Sequence, residues 1–366
     1  MKVIFRVDAS EKMGTGHFMR CLTLAEGIRQ QGGDVSFICR EHPGNLIQLL
    51  QSTDFPHVVL PAPATELSLE GYTNWLGVSQ TQDAEETIQA MGADFPDWLI
   101  ADHYALDHTW QSKIRSVVGK IMMIDDLANR QHDCDLLLDQ NLFENGDSRY
   151  QGKVPADCEL CLGPAYALLR PEYAQLLRMR APRNGDIQRI LVFFGGSDAQ
   201  DMTGLCFEVL SEDIFASLSV DLVVGANYLH RKKLENKATL RPGTRIFGFR
   251  PHLADLMSEA DLAIGAGGAT LWERMCMGLP SVVISLAENQ VLLAQHLAKQ
   301  QWIKYLGPAE AFQPEALRNA IQTYGQKAEY LRISAENQKL CDGLGVKKII
   351  QKLQNKSDSI YKSEEP

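Results

Sequence analysis

The sequence predicts an α/β protein with two Rossmann-like, doubly wound parallel-sheet domains that face a cleft. Short apolar runs, which suit a parallel sheet covered on both faces, alternate along the chain with amphipathic stretches. Because this alternation stops at a polar segment near the middle and then starts again, we expect two similar domains. The 366 residues are enough chain for two hydrophobic cores.

The first predicted domain covers residues 1–180. Apolar runs predict its strands at Val3–Asp8, Val35–Cys39, His57–Leu60, Trp98–Asp102, Ile121–Asp125 and Leu136–Leu138. Amphipathic stretches predict its helices at Phe18–Gln30, Asn45–Gln51, Ala84–Met91 and Thr109–Val117. Such alternation implies right-handed crossovers between parallel strands.

The second predicted domain covers residues 187–345, after a polar, Pro- and Gly-containing segment at Arg180–Asp186 that is typical of a linker. Its strands are predicted at Ile190–Phe194, Val220–Val224, Arg245–Phe247, Leu262–Ile264 and Ser281–Ser285. Its helices are predicted at Met202–Leu210, Leu253–Glu259, Ala269–Met277 and Val291–Gln300. Residues 346–366 are expected to form the end of the C-terminal helix and a frayed tail.

The charge balance excludes several classes of protein. The chain has 36 basic and 46 acidic residues, a net charge of −10, and no basic stretch of the kind that binds nucleic acid. It has no apolar run of about 18 residues, so we expect no stable membrane association. Met1–Asp8 is typical of a first strand and not of a signal peptide. We therefore expect a cytoplasmic protein; the sequence predicts no oligomeric state.

The cysteines favour reduced, buried thiols. Eight of them are scattered through the chain, unlike the dense spacing of a disulfide scaffold. Cys158 and Cys161 form a C-x-x-C pair, but a zinc site would need a second pair of ligands at a suitable spacing. Carboxylates at Asp125 and Asp126, with Asp133 and Asp135 nearby, can hold a divalent cation, but the D-C-D pattern at 133–135 is short enough to arise by chance. We expect no metal.

The loop after the first strand carries the first candidate site. Gly14 and Gly16 allow the backbone to turn tightly and approach a ligand. His17 follows in the first turn of a helix, whose positive end disfavours imidazolium and keeps the ring available as a proton acceptor. Asp8, at the end of the strand, is expected to hydrogen-bond this ring. A histidine that caps the helix beside a structural turn is equally compatible with the local pattern.

Two glycine-rich loops follow strands of the second domain. Gly195, Gly196 and Ser197 end one strand, and Gly267 and Gly268 open a helix after another. Backbone amides in such turns bind phosphate groups, so we expect both loops to bind a phosphorylated ligand. Glu273, about one turn into the second helix, is placed to reach a ribose diol. Close strand–helix packing is the alternative, and it explains one such loop better than two.

Two further polar segments end predicted strands. Between a predicted strand and a predicted helix lie Glu288, Asn289 and Gln290. These residues are candidates for ligand contact, and N-capping of the helix by Asn289 is the equally compatible alternative. Tyr104 belongs to the Asp-His-Tyr segment that ends a strand of the first domain. Its neighbour His103 is expected to be a buried ring with satisfied hydrogen bonds.

Together these motifs carry a family resemblance. The pattern D-x-S-x-x-x-G-x-G-H-x-x-R spans Asp8 to Arg20, and it is followed in order by Ile124–Asp126, Phe194–Asp198, Gly265–Gly268 and Ala287–Gln290. From Met1 to about Gly345 the chain closely resembles the UDP-2,4-diacetamido-2,4,6-trideoxy-β-L-altropyranose hydrolases of pseudaminic acid biosynthesis. The resemblance implies a glycosyltransferase B-type fold, with UDP held mainly by the second domain.

The resemblance also implies roles for individual residues. It makes His17 the catalytic histidine and places Tyr104 and Asn289 around the sugar and the attacking water. The segment Arg245–Pro251, which includes Phe247, is implied to meet uracil. The implied substrate and UDP contacts are Gly14, Gly16, Arg20, Gly195, Gly196, Ser197, Phe247, Gly267, Gly268, Thr270, Glu273, Glu288 and Gln290. No cofactor or metal is implied.

The expected reaction is hydrolysis of a UDP-sugar. A nucleoside diphosphate leaves with help from charge stabilisation, whereas water needs a base, and we assign that role to His17. Attack from the face opposite UDP predicts inversion at the anomeric carbon. A UDP-sugar-dependent glycosyltransferase of the same fold, a non-catalytic nucleotide-sugar binding protein and a hydrolysing epimerase are the alternatives.

Overall fold

The computed structural model describes residues 1–63, 71–196, 198–225 and 228–362. The chain divides into two compact units. Unit 1 consists of residues 1–141, 145–168 and the chain from 345 onward, and unit 2 of residues 142–144 and 169–344.

The strands lie close to where the apolar runs predict them. In chain order they are β1 (Lys2–Val7), β2 (Asp34–Arg40), β3 (His57–Leu60), β4 (Trp98–Asp102), β5 (Lys120–Ile124), β6 (Leu136–Asp139), β7 (Glu159–Leu162), β8 (Arg189–Phe193), β9 (Ser219–Val223), β10 (Thr244–Phe247), β11 (Leu262–Gly265), β12 (Ser281–Ser285) and β13 (Lys304–Pro308). The sequence analysis missed β7 and β13.

The helices include the predicted ones and several more. They are α1 (Gly16–Gln30), α2 (Ile47–Gln51), α3 (Gln80–Met91), α4 (His108–Ile114), α5 (Pro171–Met179), α6 (Met202–Leu210), α7 (Arg231–Ala238), α8 (Ala254–Glu259), α9 (Thr270–Cys276), α10 (Glu288–Lys299), α11 (Pro314–Tyr324), α12 (Lys327–Leu340) and α13 (Gly345–Lys362). None of the helices in the described part of the chain combines the length and the apolar character of a membrane span.

The sheet of unit 1 has the order β3-β2-β1-β4-β5-β6-β7, with every neighbouring pair parallel. Successive side chains of β1 alternate between two apolar cores, as a strand buried on both faces requires. Phe5 packs in one core with Phe18 of α1, and Ile4 packs in the other with Trp110 of α4. The strand order reverses between β1 and β4, and ligand sites of such sheets form beyond the carboxyl ends at this point.

The sheet of unit 2 has the order β10-β9-β8-β11-β12-β13, again parallel throughout. Its strand order reverses between β8 and β11. Gly265, the last residue of β11, pairs with Phe193, and a β-carbon at Gly265 would overlap the carbonyl oxygen of Phe193. The close approach of these two strands therefore requires glycine, and it brings the loops that follow them together.

The predicted boundary at residue 180 is wrong, because α5 belongs to unit 2. Tyr173 of α5 is fully buried, and its hydroxyl oxygen accepts a hydrogen bond from the Leu253 amide at 3.2 Å. The predicted linker is also part of unit 2. Arg183 donates to the carbonyl oxygens of Met257 at 2.9 Å and Met277 at 3.3 Å.

The expected frayed tail is helical as far as Lys362 and completes unit 1, whereas residues 363–366 lie outside the described part of the chain. Ile349, Ile350 and Leu353 of α13 are at most 1% exposed and belong to the core of α1 and β1. The indole nitrogen of Trp98 donates to the carbonyl oxygen of Leu353 at 3.2 Å and to Ser357 Oγ at 3.0 Å. The charged and serine-rich composition of this segment concealed an amphipathic stripe.

Candidate active site

At the carboxyl edge of the unit 1 sheet, His17 meets Asp102. Val7, the last residue of β1, pairs with Asp102, the last residue of β4. The loop after β1 leads into α1, whose second residue is His17. As a result the Nδ1 atom of His17 lies 2.6 Å from Asp102 Oδ1.

Arg20 shares the carboxylate of Asp102 with His17. One turn along α1, Arg20 donates from Nε to Asp102 Oδ2 at 2.5 Å and from Nη2 to Oδ1 at 2.7 Å. Burial alone would raise the pKa of Asp102, but the charges of Arg20 and His17 hold it well below its usual range. With a proton on Nδ1, the ring of His17 would donate to the ionised Asp102, and the lone pair of Nε2 would be left as a proton acceptor.

Tyr104 packs against the imidazole. Its ring centroid lies 4.5 Å from that of His17, at an interplanar angle of 87°. Its hydroxyl donates to Asp126 Oδ1 at 2.5 Å, and the other oxygen of Asp126 accepts from Arg20 Nη1 at 3.2 Å. Burial and the charge of Asp126 raise the pKa of Tyr104 well above its usual value. Tyr104 therefore belongs to the site as a neutral side chain that limits the movement of His17.

Two further aromatic side chains extend this surface. Trp75, in a short 3-10 helix at Gly71–Leu76, stacks on Tyr104 with ring centroids 5.4 Å apart. Its ring lies edge-on to His17 at 6.3 Å. Tyr72 contacts Trp75 and Tyr104 at 4.8 Å and 4.9 Å. The sequence analysis did not select Trp75 or Tyr72, because this segment lies far in sequence from the motifs.

The prediction that Asp8 hydrogen-bonds His17 is wrong. Asp8 is 1% exposed and points to the other side of the sheet edge, where its Oδ1 accepts from Arg6 Nη1 and from the Arg40 amide, both at 2.6 Å. Its Oδ2 lies 3.6 Å from His103 Nε2. His103 is buried, as expected, but only its Nδ1 is satisfied, by the amide of Ala105 at 3.0 Å.

The two glycines before His17 differ in whether the backbone conformation at their position favours glycine. Gly14 has a φ of 73°, which favours glycine, and its amide donates to the Ser10 carbonyl at 2.8 Å. Gly16 has an ordinary φ, is exposed, and has open space where a β-carbon would stand. Packing within the described residues therefore does not explain the glycine at position 16.

In unit 2, the loop after β8 only partly matches the predicted phosphate site. Gly195 has a φ of 97°, and Gly196 is exposed; Ser197 lies outside the described residues. The carboxylate of Asp198 accepts from the amides of Met202 at 2.9 Å and Thr203 at 2.8 Å. These two amides at the start of α6 are therefore occupied, whereas Gly195 and Gly196 remain candidates for phosphate contact.

The loop after β11 is linked to the loop after β12 by hydrogen bonds. Gln290 Oε1 accepts from the Gly267 amide at 3.2 Å and from the Leu286 amide at 3.0 Å. Gln290 is thus a connector of two loops, while Gly268 and Thr270 remain partly exposed. The N-cap of α9 is Ala269, whose side chain cannot accept a capping hydrogen bond.

Glu273 lies in the first turn of α9. Desolvation raises the pKa of Glu273, whereas a hydrogen bond from the Tyr173 hydroxyl lowers it. Tyr173, on α5, therefore fixes the carboxylate that the sequence analysis assigns to a ribose diol.

The remaining predicted residues lie at the same edge of the unit 2 sheet. Glu288 and Asn289 are exposed in the first turn of α10, whose N-cap is Ala287, so Asn289 is not the N-cap. Phe247 ends β10, and the guanidinium groups of Arg245 and Arg250 lie 5.3 Å and 5.0 Å from its ring centroid.

Among the described residues, no group of three or more His, Cys, Asp or Glu side chains is arranged to hold a metal ion. Cys158 and Cys161 are both free thiols, and Cys158 Sγ lies 3.6 Å from Cys134 Sγ.

The chain is similar in sequence to known proteins. Residues 190–353 match the glycosyltransferase family 28 C-terminal domain. The chain is 29% identical over 301 residues, 82% of its length and 97% of the relative's, to the UDP-2,4-diacetamido-2,4,6-trideoxy-beta-L-altropyranose hydrolase of Campylobacter jejuni. The predicted resemblance to these hydrolases is confirmed.

Two further comparisons cover nearly the whole chain. The spore coat polysaccharide biosynthesis protein SpsG of Bacillus subtilis is 26% identical over 364 residues, 97% of this chain and 98% of that protein. The crystal structure of MurG from Acinetobacter baumannii superimposes with a TM-score of 0.64 at 15% identity, covering 97% of this chain and 99% of that one. The fold is of the glycosyltransferase B type, as predicted.

Three residues that the site depends on receive no role from the sequence alone. Asp102 and Asp126 hold His17, Arg20 and Tyr104 in place: Asp102 ends β4, which lies beside β1 in the sheet, and Asp126 follows β5, which lies beside β4. A correct placement of β4 beside β1 would have put Asp102 opposite the His17 loop. Gly225, after β9, is the third, because a β-carbon there would overlap the carbonyl oxygen of Gly196.

Proposed function

We propose that this protein hydrolyses a UDP-sugar, and that its substrate is UDP-2,4-diacetamido-2,4,6-trideoxy-β-L-altropyranose, as the name of the Campylobacter jejuni relative suggests. The reaction would be a step of pseudaminic acid biosynthesis. The observation that carries the proposal is the hydrogen bond of 2.6 Å between His17 Nδ1 and the ionised Asp102. A protein that only binds a nucleotide sugar has no need of a histidine oriented in this way.

In the proposed step, His17 Nε2 takes a proton from water while the water oxygen bonds to the anomeric carbon. The bond from that carbon to the diphosphate oxygen breaks, and UDP leaves with the electron pair. Asp102 stabilises the imidazolium that forms, as a carboxylate partner does in other histidine bases. Attack opposite the leaving group gives inversion.

We assign the UDP part of the substrate to unit 2. The exposed Gly196 and the partly exposed Gly268 and Thr270 would place backbone amides and a hydroxyl around the diphosphate. The carboxylate of Glu273, fixed by Tyr173, would accept hydrogen bonds from the ribose hydroxyls. UDP needs little help from a general acid, since its charge is stabilised by such donors.

Turnover of the purified sugar nucleotide in heavy-oxygen water tests the proposal. We expect UDP to be released without any acceptor, and the label to appear in the free sugar with inverted configuration. Label in UDP would mean attack at phosphorus and would contradict the proposed reaction.

A glycosyltransferase is the second candidate, because residues 190–353 match the glycosyltransferase family 28 C-terminal domain. Such an enzyme would retain UDP-sugar until an acceptor alcohol is added. UDP release from the substrate alone separates the two candidates. Tight binding with no turnover under either condition would instead indicate a non-catalytic nucleotide-sugar binding protein.

A further inference from the structure

A buried arginine lies directly beneath the glycine-rich loop that follows β11. Arg274, on α9, is only 3% exposed. It donates from Nη2 to the carbonyl oxygen of Ala266 and from Nε to that of Thr270 at 3.3 Å. Its guanidinium thus spans the loop from one end to the other.

Arg274 differs from the buried arginines of unit 1 in its partners. Arg6, Arg20 and Arg40 each lie within 2.6 Å of a carboxylate oxygen. Among the described residues, Arg274 contacts backbone carbonyls and forms no ion pair within 4.0 Å. Burial lowers the pKa of Arg274 to about 10, with Glu273 acting in the opposite direction, so the side chain is a cation at neutral pH.

A buried cation without a close carboxylate is costly unless an anion joins it. Carbonyl dipoles recover part of that cost, but they leave the net positive charge in place. The charge lies behind residues 265–270, where water cannot screen it well. At the same time, the two hydrogen bonds draw the carbonyl oxygens of Ala266 and Thr270 inward, toward the guanidinium.

We propose that Arg274 is a positioning residue for the diphosphate: it holds inward the carbonyl oxygens of Ala266 in the glycine-rich loop and of Thr270 at the start of α9, and it places a positive charge behind that loop. This inference rests on the proposed function, in which the loop binds UDP. It goes further by assigning the recognition of the diphosphate charge to a side chain that the ligand does not have to touch.

The test compares ligands that share the nucleoside and differ in phosphate. Calorimetric affinities of the full chain for uridine, UMP and UDP are measured for the unaltered protein and for Arg274→Met. We expect the affinity for UDP to fall at least about tenfold and the affinity for uridine to change less than about twofold. Arg274→Lys, which keeps the charge, should recover part of the UDP affinity.

Arg241→Met is the matched control. Arg241 is also buried and donates to carbonyl oxygens of Leu210, Phe215 and Leu218 at 2.8–2.9 Å, but it precedes β10 at the amino edge of the unit 2 sheet. Its loss should lower stability without changing the ratio of UDP to uridine affinity. Should Arg274→Met fail to fold, Arg274→Gln, which keeps a donor and removes the charge, gives the same comparison.

Equal losses for uridine and UDP, or no loss for either, would overturn the inference, since a purely structural role does not distinguish the phosphates. An unaltered protein that binds no UDP at all would instead contradict the proposed function.

Discussion

His17 is held by a carboxylate that stays ionised and by an aromatic ring that restricts its movement. Asp102 fixes the Nδ1 side at 2.6 Å, and Tyr104 packs against the ring face at a centroid distance of 4.5 Å. Among the described residues, the hydrogen bonds of the ring involve Nδ1, and none involves Nε2. A side chain fixed in this way meets the geometric demand on a general base, whose lone pair must point at one place.

His17→Asn should therefore lower turnover by about 10²–10⁴-fold while leaving the affinity for UDP nearly unchanged. The amide can still accept or donate toward Asp102, but it cannot take a proton from water at neutral pH. Steady-state kinetics and UDP calorimetry measure the two effects separately.

His108→Asn serves as the control, because His108 is an exposed histidine at the start of α4. It should behave like the unaltered protein in both measurements. Unchanged turnover in His17→Asn would remove His17 from the mechanism.

At this scale the sequence predicts which residue types lie at the site better than it predicts their partners. His17 and Tyr104 were selected from their motifs, and the structure brings them into contact. Asp8 was chosen as the partner of His17 because it lies nearby in sequence. The true partner, Asp102, is 85 residues away, and only the order of the strands makes it a neighbour.

Among the elements, the loops after β8 and β9 in unit 2 provide a matched pair of glycines. A β-carbon at Gly225 would overlap the carbonyl oxygen of Gly196, so Gly225→Ala should lower the free energy of unfolding by roughly 1–3 kcal/mol. Gly196 has open space at its own β-carbon position, so Gly196→Ala should change the free energy of unfolding by less than about 0.5 kcal/mol. If Gly196 approaches the diphosphate, that second variant should nevertheless lose UDP affinity.

Denaturant unfolding and UDP titration of both variants check this pair. A stable Gly196→Ala protein that binds UDP normally would remove this loop from the proposed nucleotide site.

The end of β6 carries a pH-dependent contribution to stability. Asp139 is 2% exposed, and burial followed by the charge of Asp126 raises its pKa to about 7. The neutral form is thus favoured in the folded state, whereas the unfolded chain ionises near the ordinary aspartate pKa of 3.8. The stability that Asp139 contributes is full below about pH 4 and is lost as the pH rises toward 7.

Asp139→Asn should match the unaltered protein near pH 4 and exceed its free energy of unfolding by roughly 2–4 kcal/mol at pH 8. The amide keeps the acceptor for the Asn141 N–H, which lies 2.9 Å from Asp139 Oδ1. Urea unfolding at a series of pH values measures the difference.

Asp107→Asn is a control in which the pH dependence of stability should have the opposite sign. Asp107 caps α4, and although burial would raise its pKa, hydrogen bonds from Gln80 and Thr109 lower it. The stability that the ionised Asp107 contributes is present above the pKa that this residue has in the unfolded chain, and it is lost as the pH falls. A difference for Asp139→Asn that does not grow between pH 4 and 7 would contradict the assignment.

The two strands that the sequence does not predict escape detection for the same physical reason. The strands β7 and β13 are short edge strands with partly exposed side chains, so they lack the continuous apolar run that marks a central strand. The strands buried on both faces, such as β4 and β12, were predicted with their observed bounds. Apolar patterning thus locates the central strands of both sheets but only one edge strand of each, β3 and β10.

At the scale of the whole molecule, unit 1 is assembled from two distant parts of the chain. Its sheet comes from residues 2–162, and α13 returns to it after unit 2 is complete. A division of the chain by sequence alone assigns this last segment to the second domain or to a tail, because contacts 255 residues apart, such as that of Trp98 with Leu353, leave no local pattern.

The first unit should therefore depend on the C-terminal helix for its stability. Leu353 is fully buried in the core that contains Phe5 and Phe18, so Leu353→Ala should lower the free energy of unfolding by about 2–5 kcal/mol. Gln351→Ala, at an exposed position of the same helix, should change it by less than about 0.5 kcal/mol. Circular dichroism during urea unfolding compares the two variants, and UDP affinity, which we assign to unit 2, should be the same in both. If Leu353→Ala unfolds like Gln351→Ala, the helix does not complete the unit 1 core, and the segment is the dispensable tail that its composition suggests.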